Sequence, residues 1–162
     1  MHAITIDFNH RQPSLDIHEE SLQQAVKNVL RGECVRHANI RVAIVDDLTI
    51  HKANRQFLGH DEPTDVLSFP WKDETDPANN DPECAGEIST GSCLEGDIMI
   101  SAETATRQAT EYGWSASDEL LLYLIHGTLH LLGYDDHDES DRAEMRDRER
   151  HYLGSIGLVG PL

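Results

Sequence analysis

Apolar and polar residues alternate at the start of the chain. Ile4, Ile6 and Phe8 are apolar and Thr5 and Asp7 polar, the period of a strand with one buried face. Over residues 15–31 the period lengthens. Leu22, Val26, Val29 and Leu30 recur at helical spacing, and Gly32 stands where such a helix can stop. Period two returns over 39–45, after which Asp47 is placed to cap a second helix running through Phe57 and closed by Gly59. Beyond a turn at 60–64, residues 65–70 predict a third strand and 96–101 a fourth. Ser101 can cap a helix from Ala102 to Tyr112, ended by Gly113. Residues 72–92 between those last two strands show little periodicity, and a loop of that length is expected to be functional or mobile. Ser115 or Ser117 can open the next helix, with Asp118 and Glu119 suitably placed for its dipole. This helix carries Leu120, Leu121, Leu124, Ile125, Leu129 and Leu132, apolar on most faces, and is expected to be central and buried. A last helix over about 140–153 is highly charged and expected to be mostly exposed. The order β-α-β-α-β-β-α-α-α predicts an α/β (α+β) fold with one small mixed sheet packed against helices. At 162 residues, a single domain over 1–162 with a substantial core is expected.

Two histidines interrupt the leucine-rich pattern. His126 and His130 lie four residues apart and therefore project from one helix face, a turn apart. Burying two unpartnered imidazoles among leucines is costly, and a shared cation compensates both. Gly133 can end the helix, and His137 follows almost at once. Three nitrogen donors from a helix and its exit turn suit a tetrahedral zinc with one position open. His2, His10, His18, His37, His51 and His151 are expected to be ordinary structural or surface histidines. In His-Glu-x-x-His peptidases the residue after the first histidine is the general base. Here it is Gly127, which has no side chain to take a proton, so peptide hydrolysis is disfavoured.

Composition narrows the partners. Thirty acidic residues against thirteen lysines and arginines give a net charge of −17, whereas nucleic-acid binders usually carry a basic surface. A polyanion here must be held by a local basic patch, the metal or a partner, and the acidic surface suits proteins with basic surfaces. No run of ~18 apolar residues predicts a membrane span, and the start lacks the basic head and apolar stretch of a signal peptide. Cys34, Cys84 and Cys93 match no zinc spacing, and reduced thiols in a cytoplasmic protein are expected.

The run His126-Gly-Thr-Leu-His130-Leu-Leu-Gly-Tyr-Asp135 resembles the signature of the YbeY endoribonucleases. Asn54-Arg55-Gln56-Phe57, Pro63-Thr64-Asp65-Val66-Leu67-Ser68-Phe69-Pro70 and Gly96-Asp97-Ile98 resemble other motifs of that family in the same order. The likeness extends from Ile4 to about Leu153. It implies a zincin-like domain in the bacterial cytoplasm, with one Zn2+ on its central helix. It also implies cleavage of single-stranded RNA, maturation of ribosomal RNA including the small-subunit 3′ end, ribosome quality control, and contact with ribosomal particles or proteins.

Two positions depart from the family pattern. The family's third histidine commonly follows Gly-Tyr-Asp directly, whereas here Asp136 holds that place and His137 comes one later. Glu144-Met145 keeps its usual frame, so the change is a local shift. Imidazole and carboxylate both bind zinc, and His137 is preferred because it completes the three-histidine set. Leu58 stands where many members carry an arginine implied in catalysis or RNA contact, and Arg55, one turn earlier, is the candidate to compensate. The expected catalytic residues are therefore His126 and Arg55, with His126, His130 and His137 as metal ligands. Asp135 is a candidate to orient a ligand imidazole. Ser68 and Asp65 are expected to be a solvent-facing hydroxyl and a turn carboxylate. Two other readings compete with the nuclease: a metal-dependent hydrolase of another substrate, such as a peptide, and a ribosome-associated binding factor with structural zinc.

Overall fold

The computed structural model describes residues 3–10, 18–61, 64–71 and 93–158. The strands are β1 (Ala3–His10), β2 (His37–Val45), β3 (Val66–Pro70) and β4 (Cys93–Ser101). The helices are α1 (Glu19–Gly32), α2 (Asp47–Leu58), α3 (Ala102–Tyr112), α4 (Ala116–Leu131) and α5 (Glu139–Ser155). Their order is the one the periodicities predict. The expected loop 72–92, Cys84 and the stretch 15–17 of the first helix lie outside the described residues, while Cys34 is a free, exposed thiol.

The sheet is small and mixed, in the order β1-β2-β4-β3, with β3 antiparallel to β4 and the other pairs parallel. One face carries Ile6, Ile40, Ile44, Ile98 and Ile100 into a core shared with Val26 and Leu30 of α1 and Leu124 and Leu129 of α4. Its other face is partly covered by α2, through Ile50 and Ala53 against Leu67. Helix α4 packs on α1, α3, α5, β3 and β4, which explains an apolar pattern that leaves so little polar surface. Each large aliphatic side chain buried there contributes about 1.5–3 kcal/mol.

Gly127 sits where α4 comes closest to the sheet. A Cβ built there would lie 2.9 Å from Ile98 Cγ2 and 3.1 Å from both Ser68 Oγ and Val66 Cγ2. Ser68 Oγ donates to the Gly127 carbonyl at 2.9 Å, so this hydroxyl turns inward instead of facing solvent as expected. The glycine between the histidines is thus a packing requirement that brings them down onto β3 and β4.

Two helix boundaries differ from expectation. Helix α1 passes through Gly32, and the left-handed residue after it is Cys34, at φ 62°. Gly32 is instead a point of close approach, since a Cβ there would lie 2.5 Å from the Tyr152 hydroxyl. At α2 the cap is Asp46, which accepts from the Thr49 amide at 2.8 Å. Asp47 turns toward α3: Ser101 Oγ and Thr104 Oγ1 donate to its Oδ1 at 2.5 and 2.7 Å, and Arg107 to its Oδ2 at 2.6 Å. Both aspartates offer the same acceptor, and only the tertiary position of α3 distinguishes them.

Gly127→Ala is expected to cost about 1–3 kcal/mol in urea unfolding, because the added methyl must push the helix off the sheet. Burial pushes the Asp47 carboxyl up, but the Arg107, Ser101 and Thr104 hydrogen bonds outweigh it and hold its pKa below the ordinary 3.8. A carboxylate depressed in this way stabilises the fold above its ordinary range, and that contribution fades as pH falls through the lowered pKa. Asp47→Asn should therefore destabilise by about 1–3 kcal/mol near neutral pH. Urea unfolding of variant and parent should converge as pH drops below 3.8.

Candidate metal centre

Helix α4 opens at Ser115, whose side chain accepts from the Asp118 amide, and runs to Leu131 with Leu132 as its C-cap. Near its end the His126 and His130 rings stand edge to face, their centroids 4.5 Å apart. Their Nε2 atoms face each other at 2.9 Å. Asp136 closes the group, its Oδ2 3.7 Å from His126 Nε2 and 3.6 Å from His130 Nε2. These three residues are the group that could hold a metal ion among the described residues.

The donor set fits a cation. Nitrogen or oxygen ligands about 2.0–2.1 Å from a tetrahedral zinc lie roughly 3.3 Å from one another, and the three separations bracket that value. Two imidazole nitrogens and a carboxylate oxygen converge on one point, and a positive ion there relieves the repulsion among their lone pairs. Among the described residues the group has three protein donors, which leaves a fourth tetrahedral position for another ligand, as in catalytic zinc sites.

His126 is held from behind. Its Nδ1–H donates to Glu149 Oε1 at 2.5 Å, and Glu149 is itself buried on α5. A carboxylate only accepts, so the proton stays on Nδ1 and the Nε2 lone pair points toward His130 and Asp136. Burial lowers the His126 pKa, but the hydrogen bond and charge of Glu149 outweigh it and raise it above the ordinary value. Burial and then the neighbouring His126 lower that of His130, which favours the neutral form a cation needs.

The turn after α4 delivers Asp136. Gly133 adopts φ 103°, and Tyr134 then reaches across to Glu33 at the end of α1. Glu33 is buried and also accepts from the Tyr152 hydroxyl at 2.5 Å, while Arg148 lies over the Tyr134 ring. One carboxylate thereby ties α1, the exit turn and α5 together.

His137, the preferred third ligand, is not brought to the group. Its side chain is 83% exposed and its Nε2 lies 3.1 Å from Asp135 Oδ2. Asp135 therefore pairs with His137, and the carboxylate that orients a central imidazole is Glu149. Arg55 lies exposed on α2 and is absent from the residues lining the cleft at His126. That cleft, of about 560 Å³, borders His126 and Glu149 and is also lined by Arg107, Arg146, Tyr112 and Tyr123. Glu149 escaped the sequence reading, although it left a signal. With Met145, Tyr152 and Leu153 it forms the buried stripe of α5, a lone carboxylate among apolar and aromatic neighbours.

Residues 7–157 match the family model described as Endoribonuclease YbeY. The chain is 38% identical over 155 residues to an Endoribonuclease YbeY of Desulfitobacterium hafniense, covering 96% of this chain and 93% of the relative. It is 41% identical over 139 residues to an Endoribonuclease YbeY of Pelotomaculum thermopropionicum, with coverage of 85% and 86%. The solution structure of a Thermotoga maritima protein shares the fold, with a TM-score of 0.55 at 24% identity over 94% of this chain and 91% of that one. On the extent of these matches, which take in the histidine helix and both flanking sheet motifs, the chain belongs to the YbeY endoribonuclease family.

Proposed function

We propose that this chain is a zinc-dependent endoribonuclease that cleaves single-stranded RNA, with His126, His130 and Asp136 as the metal ligands. The convergence of these three donors beside an open position carries the reading. Bound there, zinc supplies Lewis acidity toward a phosphodiester oxygen and stabilises the charge that develops on it. Glu149 keeps the His126 proton on Nδ1 and fixes the ring. The Glu33–Tyr134 contact holds the turn that carries Asp136. The relatives named as endoribonucleases support RNA as substrate.

Peptide hydrolysis is disfavoured because Gly127 offers no general base and its surroundings have no room for one. A purely structural zinc is disfavoured because the group contains three protein donors among the described residues, not four. The family resemblance supports a role in ribosomal RNA maturation, including the small-subunit 3′ end, in the cytoplasm. The net charge of −17 favours ribosomal proteins with basic surfaces as the contacts that bring the chain to its RNA. No helix among the described residues is long and apolar enough to cross a membrane.

Zinc-loaded protein is expected to cleave single-stranded RNA, and the His126→Ala, His130→Ala double variant to lose at least ~100-fold in rate, matching several kcal/mol of lost charge stabilisation. Equal rates would identify a contaminating nuclease and sink the assignment. In chelator competition, Asp136→Ala should weaken zinc binding by ~10–100-fold or more, while His137→Ala leaves it within about twofold. The reverse order would return the third ligand to His137.

A further inference from the structure

Glu119, Tyr123, His126 and His130 are spaced by four, three and four residues and share one stripe of α4. Helices α3 and α5 both pack on α4, and the 560 Å³ cleft runs between them over this stripe to His126. Tyr123 on its floor is 4% exposed, yet its hydroxyl has no hydrogen-bond partner of ordinary geometry among the described residues. A buried O–H left unpaired is costly, and a ligand carrying an acceptor satisfies it. Burial, with Glu119 and Asp65 nearby, pushes the phenol well above its ordinary pKa, so it keeps its proton to donate.

Charge divides the cleft. Asp65, Glu119 and Glu149 line the cleft and repel a phosphate. Glu119 already accepts from Trp114 and Glu149 from His126, while the exposed Asp65 can accept from a neutral donor such as a ribose 2′-hydroxyl or a base amino group. The cations stand on the walls: Arg107 from α3, tied to Asp47 at 2.6 Å, and Arg146, exposed on α5. Tyr112, 55% exposed at the end of α3, offers a ring on which a base can stack. A ligand with a neutral, hydrogen-bonding body and a charged edge fits this arrangement, and an isolated anion does not.

We propose that this cleft seats the ribonucleotide next to the scissile phosphate, with the Tyr123 hydroxyl donating to it from the floor and Arg146 neutralising its phosphate at the rim. The inference rests on the endoribonuclease reading and names a substrate subsite within it.

The test measures binding of a labelled single-stranded RNA octamer to zinc-loaded protein by rapid-mixing anisotropy, before turnover. Tyr123→Phe and Arg146→Gln are each expected to weaken binding by about 3- to 10-fold. Arg146→Gln should also lower the slope of affinity against salt by about one counterion. Zinc content should stay unchanged in both variants. Tyr123→Phe should melt close to the parent, because its hydroxyl has no hydrogen-bond partner of ordinary geometry among the described residues. Arg150→Gln takes the same charge from α5 outside the cleft and should bind within about twofold of the parent. Parental binding by Tyr123→Phe and Arg146→Gln overturns the cleft assignment, as does an equal loss in Arg150→Gln. If the unaltered protein binds no RNA, the endoribonuclease reading fails and the subsite with it.

Discussion

The hydrogen bond between Glu149 and His126 joins a buried carboxylate to a half-buried imidazole that neither helix could hold alone. A carboxylate in an apolar layer between helices needs a donor, and an imidazole among leucines needs an acceptor. Each supplies the other, so α5 docks on α4 in one rotational setting. The same bond decides which nitrogen of His126 is free. Packing and site chemistry therefore rest on one contact, and the charged helix on the outside of the fold becomes part of its centre.

A second carboxylate plays a parallel role farther along. Glu33 ends α1, and two phenols from the exit turn and α5 converge on it. Gly32, immediately before it, leaves room for the Tyr152 ring to approach. Three elements distant in sequence are thereby locked around the turn that carries Asp136. The Asp136 position is thus set by an anchor on the far side of the turn as well as by the local chain.

Much of this was legible in the pattern of residues. Strands β1 to β4 and helices α2, α3 and α4 follow from period and capping chemistry, because those signals are local. His126 and His130 were legible for the same reason: a spacing of four fixes a shared face whatever surrounds the helix. The choice between Asp136 and His137 was not. It depends on how Gly133 turns the chain and on Tyr134 reaching Glu33, 101 residues away. Glu149 was hidden in a helix whose charge suggested exposure, and only docking against α4 shows which of its many carboxylates faces inward. Adjacent Asp46 and Asp47 likewise offered the same acceptor at the same helix start, and α3 decides between them.

The glycine between the histidines has a consequence for what this scaffold can become. Histidine pairs spaced by four also occur in peptidases, where a glutamate stands at the intervening position. Grafting that glutamate onto position 127 would drive it into Ile98, Ser68 and Val66. The direct evolutionary path from this helix to protein cleavage is therefore sterically obstructed, and a proton acceptor reaches the centre more readily from another element, the solvent or the substrate itself.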